Sequence, residues 1–210
     1  MRWTTRNPDI VLQALLTHVS LVGAALGIAL VLALPLGVLA SRHAGLRGVL
    51  LGTASVLYSI PTLALFALLL PVLGLGFWPA LVALVTYAVP VLLRALVTGL
   101  AGVPAAVLDA AEGMGLTRRQ RLFQVELPLA LPALLGGLRI AGVTLVSAAT
   151  VGAYINAGGL GTLILTGLDQ GHVEKVLVGA GLTALLALLL DQGLRLVQRR
   201  LPGATLEAPA

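Results

Sequence analysis

Long apolar runs separated by short polar interruptions set the first reading of this chain. Leu15 to Ala40 is a mostly apolar stretch that ends at the polar step Ser41-Arg42-His43. Gly48 to Leu93 then contains no Asp, Glu, Lys or Arg. A helix crosses the hydrocarbon of a bilayer in about 20 residues, so this second stretch is too long for one span and suits two. The break between them falls at LGLGFWP (Leu73 to Pro79), where two glycines and a proline form a turn and Phe77-Trp78 suit the membrane–water boundary. A fourth span is predicted over 131–154, with Arg139 near its start, and a fifth over 176–194. The reading is an all-α polytopic membrane protein with five transmembrane helices at about 15–40, 48–72, 78–100, 131–154 and 176–194. They form a single transmembrane domain over 1–200, with a loop over 103–130 between spans three and four and a short tail at 201–210.

Composition agrees. The chain is 59% hydrophobic and only 10% charged, against roughly 25% charged residues in a soluble domain, so lipid must be part of its solvent. The net charge of +5 raises the possibility of nucleic acid, but arginines with no solvated domain behind them make a poor nucleic-acid platform. They fit better as anchors on one side of a membrane. Placing the 103–130 loop in the cytoplasm puts ten of the basic residues there (Arg42, Arg47, Arg94, Arg118, Arg119, Arg121, Arg139, Arg195, Arg199, Arg200) and leaves Arg2, Arg6 and Lys175 outside. That obeys the positive-inside bias, with the N-terminus outside and the C-terminus cytoplasmic. The N-terminal apolar region starts late and runs long, so it reads as a retained first span and not as a cleaved signal. The localisation expected is a bacterial or archaeal cytoplasmic (inner) membrane.

Several chemistries have no carrier here. There is no cysteine, and His18, His43 and His172 have no metal-ligand spacing; they read as interfacial or loop residues. No cofactor is expected. Paired acids or a His relay of the kind that drives a proton-coupled carrier are missing from the spans, as are HExxH and a convincing GxSxG for an intramembrane enzyme. GxxxxGK[ST] is absent and the one lysine, Lys175, lies outside, so ATP is not bound on this chain. Any uphill work needs a motor on another polypeptide. Pro35, Pro71, Pro79, Pro90 and Pro132 read as prolines tolerated by membrane helices. Pro61, in YSIPTLALF, is open between that and a kink lining a path.

One segment is dense in charge: Asp109 to Pro128, DAAEGMGLTRRQRLFQVELP. Pro104 suits a helix start and Gly115 a helix stop. Thr117 with Gln120 has capping-box spacing and opens a second helix, which Pro128 and Pro132 are expected to end in a kink. Such a helix–glycine–helix loop fits a docking surface, and equally a plain cytoplasmic loop that collects arginines.

The spacing of this loop resembles the EAA motif of ABC importer permeases, EAA-x3-G-x9-I-x-L-P. Asp109, Ala110 and Ala111 stand at E-A-A, Gly115 at the glycine, and Val125, Leu127 and Pro128 at I-x-L-P. Asp109 for Glu and Val125 for Ile are the departures. SIPTLALFALLLPVLGLGFWPA (Ser59 to Ala80) and INAGGLGTLILTGL (Ile155 to Leu168) look like segments of permeases for glycine betaine, choline, carnitine and related osmoprotectants. The resemblance implies a coupling helix seated on a separate ATP-binding subunit, present in two copies. In that role Ala110, Ala111 and Gly115 allow close approach while Asp109, Arg118 and Arg119 make rim contacts. It also implies a second permease subunit, identical or paralogous, enclosing the path, and an extracytoplasmic binding protein that delivers substrate near Gly158, Gly159 and Gly161. Tyr58, Tyr87 and Tyr154 would be transient substrate contacts and Pro61 part of the path or gate. A permease for methionine or another polar amino acid is the alternative, and a non-transporting membrane scaffold the alternative of another class.

Overall fold

The computed structural model describes residues 2–200, so the predicted tail lies outside the described residues. It is built of helices: α1 (Arg2–Arg6), α2 (Pro8–Arg42), α3 (Ala44–Ser59), α4 (Thr62–Leu73), α5 (Phe77–Ala101), α6 (Ala105–Gly113), α7 (Arg118–Arg121), α8 (Leu127–Val151), α9 (Leu160–Asp169) and α10 (Val173–Arg199). A π-helical turn at Leu122–Glu126 joins α7 to α8, and a 3-10 turn at Gly152–Ile155 ends α8. Among the described residues four helices are long and apolar enough to span a membrane, and α3 with α4 makes a fifth if the pair is one bent span.

Lipid tails are as apolar as leucine, so helices in a bilayer are held by close packing and by polar links, not by transfer from water. Both are visible. α5 is the central helix, with Leu84, Leu92 and Leu96 fully buried. α2 meets it through small residues four apart, Ala25, Ala29, Ala33 and Gly37; a Cβ on Gly37 would lie 2.5 Å from Leu96 Cδ2. α8 approaches its other side at Gly99, where a Cβ would sit 2.9 Å from the Ala130 carbonyl. α10 lies outermost, with only Gly179 buried, and is fastened by a polar staple. Arg139 of α8 grips Asp191 of α10 at 2.9 and 3.2 Å and reaches Gln198 at 3.3 Å, while Gln198 donates to the Pro132 carbonyl. Similarly, Arg94 in α5 donates to Ser55 Oγ of α3. Arg139, near the start of the fourth predicted span, is therefore half of an interhelical ion pair.

Two breaks differ from expectation. The second span bends by 96° between α3 and α4, because the residue before a proline is pushed out of the helical region: Ile60 and Pro61 are both extended. The turn at Gly74–Gly76 ends α4 as predicted, with both glycines at positive φ. By contrast, Pro128 and Pro132 do not end the loop helix. The chain from Arg118 to Ile155 is one continuous rod. The Leu127 N–H reaches back five residues to the Leu122 carbonyl. This wide turn gives the ring of Pro128 room and absorbs its missing donor. Pro35, Pro90 and Pro132 sit within helices.

Candidate functional site

At the loop end of the bundle the predicted helix–glycine–helix is built as a closed unit. α6 finishes in a Schellman motif: the Gly115 N–H bonds the Glu112 carbonyl at 2.9 Å and the Leu116 N–H the Ala111 carbonyl at 3.1 Å. Gly115 takes φ +77 with open space where a Cβ would point, so backbone conformation, not crowding, selects glycine here. Thr117 then caps α7 with a complete capping box to Gln120. Ala111 is buried against the protein's own body, whereas Asp109, Ala110, Arg118, Arg119 and Pro128 are exposed, and Val125 and Leu127 are half-buried. Close approach at Ala111 is thus used inward, to seat α6. The outward face of α6 carries Val107, Ala110 and Met114, with Met114 72% exposed: an apolar stripe at helical spacing, flanked by charge.

The loop is tied to the spans through Glu126, which the π turn turns inward. Its carboxylate accepts from Arg42 at the end of α2 (2.7 Å) and from Arg121 (2.9 Å), and Arg121 also reaches Glu112 of α6 at 3.4 Å. Glu126 is buried, so these charge-assisted bonds are screened less than exposed pairs. Read along the sequence, Glu126 is one loop charge among several, and its partner Arg42 lies far away in the chain. Sequence reasoning missed this latch, and only the acid inside the I-x-L-P-like run could have signalled it.

Tyr58, Pro61 and Tyr87 come together at the α3–α4 break. The helix interruption at Pro61 leaves the Ile60 carbonyl without its usual donor, and the Tyr87 hydroxyl donates to it. The Tyr58 ring stands edge-on to Tyr87, centroids 6.1 Å apart. Tyr87 is buried with its hydroxyl engaged, whereas Tyr58 and Tyr154 are exposed. Gly158, Gly159 and Gly161 form a second cluster at the far end. Asn156, Gly158 and Gly159 all have positive φ, and a Cβ on Gly161 would fall 2.0 Å from the Thr150 carbonyl oxygen. His18 holds this segment. Fully buried rather than interfacial, its Nε2 lies 3.1 Å from the Val146 carbonyl and its Nδ1 accepts from the Leu160 N–H at 3.3 Å. Since Nδ1 accepts, the proton is on Nε2 and the ring is neutral. The Gly76 N–H, bonded to the Ile155 carbonyl at 2.6 Å, ties the α4–α5 turn to the same region.

Residues 13–202 match the family described as the binding-protein-dependent transport system inner membrane component. The chain belongs to this family. The permease is 39% identical to the osmoprotectant import permease protein OsmW of Salmonella typhimurium over 83% of each chain. To the carnitine transport permease protein OpuCB of Listeria monocytogenes it is 37% identical, over 90% of this chain and 87% of the relative. In fold it matches the methionine ABC transporter MetNI in inward-facing form, with a TM-score of 0.83 at 24% identity, over 93% of this chain and 99% of that one. The permease is thus a multi-pass inner-membrane subunit of an ABC importer, and its relatives are permease components.

Proposed function

We propose that this permease moves a small osmoprotectant of the glycine betaine, choline or carnitine kind. A binding protein would deliver the substrate, and a separate ATPase would drive transport through the α6–α7 loop. The observation that carries the coupling half is the exposed apolar stripe Val107–Ala110–Met114 on a helix locked by a Schellman turn and latched through Glu126 to α2. A rigid, apolar, outward-facing helix tied to the spans can receive a push and pass it on. In this reading Asp109, Arg118 and Arg119 rim the face, and Val125, Leu127 and Pro128 carry it into α8. Two ATPase subunits and a second permease subunit complete the machine. The cargo half is supported by relatives named for osmoprotectant and carnitine transport. The likeness to a methionine transporter, at 24% identity, is a likeness of fold.

The orientation proposed is N-terminus outside and C-terminus cytoplasmic. Its support is that the arginine-rich loop lies at the same end as the last turn of α10, where Gln198 meets Pro132, while α1 packs at the other end on Glu174, at the start of α10. Tyr58, Pro61, Gly158, Gly159 and Gly161 then lie along or beside the path, Tyr87 supports the break and Tyr154 faces the outer mouth. In cells lacking other osmoprotectant uptake, Gly115→Glu should reduce radiolabelled choline or glycine betaine accumulation to background while the protein stays inserted at normal level. Undiminished uptake in that variant would refute the coupling assignment, and absence of uptake by the wild type for both compounds would refute the cargo.

A further inference from the structure

Two cavities on the loop-end flank of the protein share a wall. One, of about 600 Å3, is apolar, lined by Leu34, Val38 and Leu39 of α2 and by Leu122, Phe123 and Leu127 of the π turn and α8. The other, of about 520 Å3, is basic, lined by Arg42, His43, Arg118, Arg119 and Arg121. Arg42 and Leu122 line both, so an oily groove opens into a cationic cleft. We propose that this composite cleft binds an anionic phospholipid, with the phosphate headgroup among the arginines and an acyl chain along α2.

Three observations select that occupant. The first is charge. Arg42 and Arg121 are committed to Glu126, but Arg118 and Arg119 are exposed and have no acidic partner among the described residues. Guanidinium forks match phosphate oxygens two at a time, so the cleft holds surplus donors of the right geometry. The second is position. The groove follows α2 from Arg42 back to Leu34, roughly 12 Å of helix at 1.5 Å per residue, on a helix with the length and hydropathy of a membrane span. A cationic site at the end of such a helix with an apolar channel behind it matches the layout of a lipid in its leaflet, headgroup outside and chain inside. A free phosphate would use only the basic half. The third is exposure: Phe123, at the seam, is 58% exposed and Leu39 is 44% exposed, which is expensive in water and cheap beside an acyl chain. The π turn makes the seam, since it sends Glu126 inward while Phe123 faces out.

The inference stands apart from the importer reading. Because Arg118 and Arg119 also rim the proposed ATPase face, it is tested on the full-length permease without an ATPase. Native mass spectrometry of the detergent-solubilised protein, titrated with phosphatidylglycerol and with phosphatidylcholine, reads retained lipid directly. The wild type should retain phosphatidylglycerol preferentially. Arg118→Gln/Arg119→Gln should weaken its retention by about thirtyfold, at around 1 kcal/mol for each of the two surface arginines near an anionic headgroup, and leave phosphatidylcholine unchanged. Arg6→Gln, at the opposite end of the bundle, should change neither. Equal retention of the two lipids, an unaltered double variant, or competition by glycerol 3-phosphate as strong as by intact lipid would each overturn the proposal.

Discussion

At the loop end, Glu126 draws Arg42 of α2 and Arg121 of α7 onto one carboxylate, whereas at the far end His18 joins α2 to α8 and α9 with two hydrogen bonds and no formal charge. The charged latch reaches across elements through long side chains, with Arg42 and Arg121 partly open to solvent. The neutral clamp works at backbone range, with Gly161 lying directly over the Thr150 carbonyl and Gly159 against the His18 ring. Long charged links can lengthen, trade partners and respond to ions. Close backbone contacts are either made or lost. If the loop end receives the push of an ATPase, as proposed above, this division supplies compliance where the push would arrive and rigidity where the α8–α9 break is shaped.

The comparison can be broken in three places. Gly161→Ala should have the largest effect, destabilising the protein by roughly 3 kcal/mol through a backbone overlap that no rotamer change relieves. The check is thermal unfolding of the detergent-solubilised permease, and a near-normal midpoint would remove the claim that this end is rigid. His18→Leu should come next, at about 2 kcal/mol, because it strands the buried Leu160 N–H without a partner. This loss should be equal at low and high salt, since no charge is involved. Glu126→Gln should cost less in stability, about 1–2 kcal/mol, given that its arginine partners are partly solvated. Uptake should nonetheless fall several-fold, and the stability difference from wild type should shrink as salt rises. A salt-dependent His18 variant, or a salt-independent Glu126 variant, would erase the distinction between the ends.

What was legible in the sequence follows from the range of each interaction. Span count and loop layout depend on local hydropathy, and the Schellman stop at Gly115 and the capping box at Thr117–Gln120 on spacings within a few residues, so they could be read directly. The bend at Pro61 was half legible. Proline marks the position, but the hydroxyl that makes the bend tolerable comes from Tyr87 on another helix. The links Arg42–Glu126, Arg139–Asp191 and His18–Leu160 join residues far apart in the chain, and nothing in a single sequence pairs them. A lone histidine in an apolar run looks like an interfacial residue until its two partners are known. Pro128 misled for a different reason: proline reads as a stop, and only the backbone shows a wider turn making room for it.

That turn has a consequence for how motion passes along the rod from Arg118 to Ile155. One π turn holds about one residue more than an α turn, so helix positions before it are offset from those after it by about 100° of angular phase. The face that α7 presents to a partner is therefore set independently of the face that α8 presents to the bundle, as if two gears shared a shaft with an adjustable key. Losing one residue between Leu122 and Glu126 would leave composition and hydropathy almost untouched yet rotate every arginine of α7 away from its present bearing. Register, as much as side-chain identity, would then set how such a permease meets the ATPase partner proposed above.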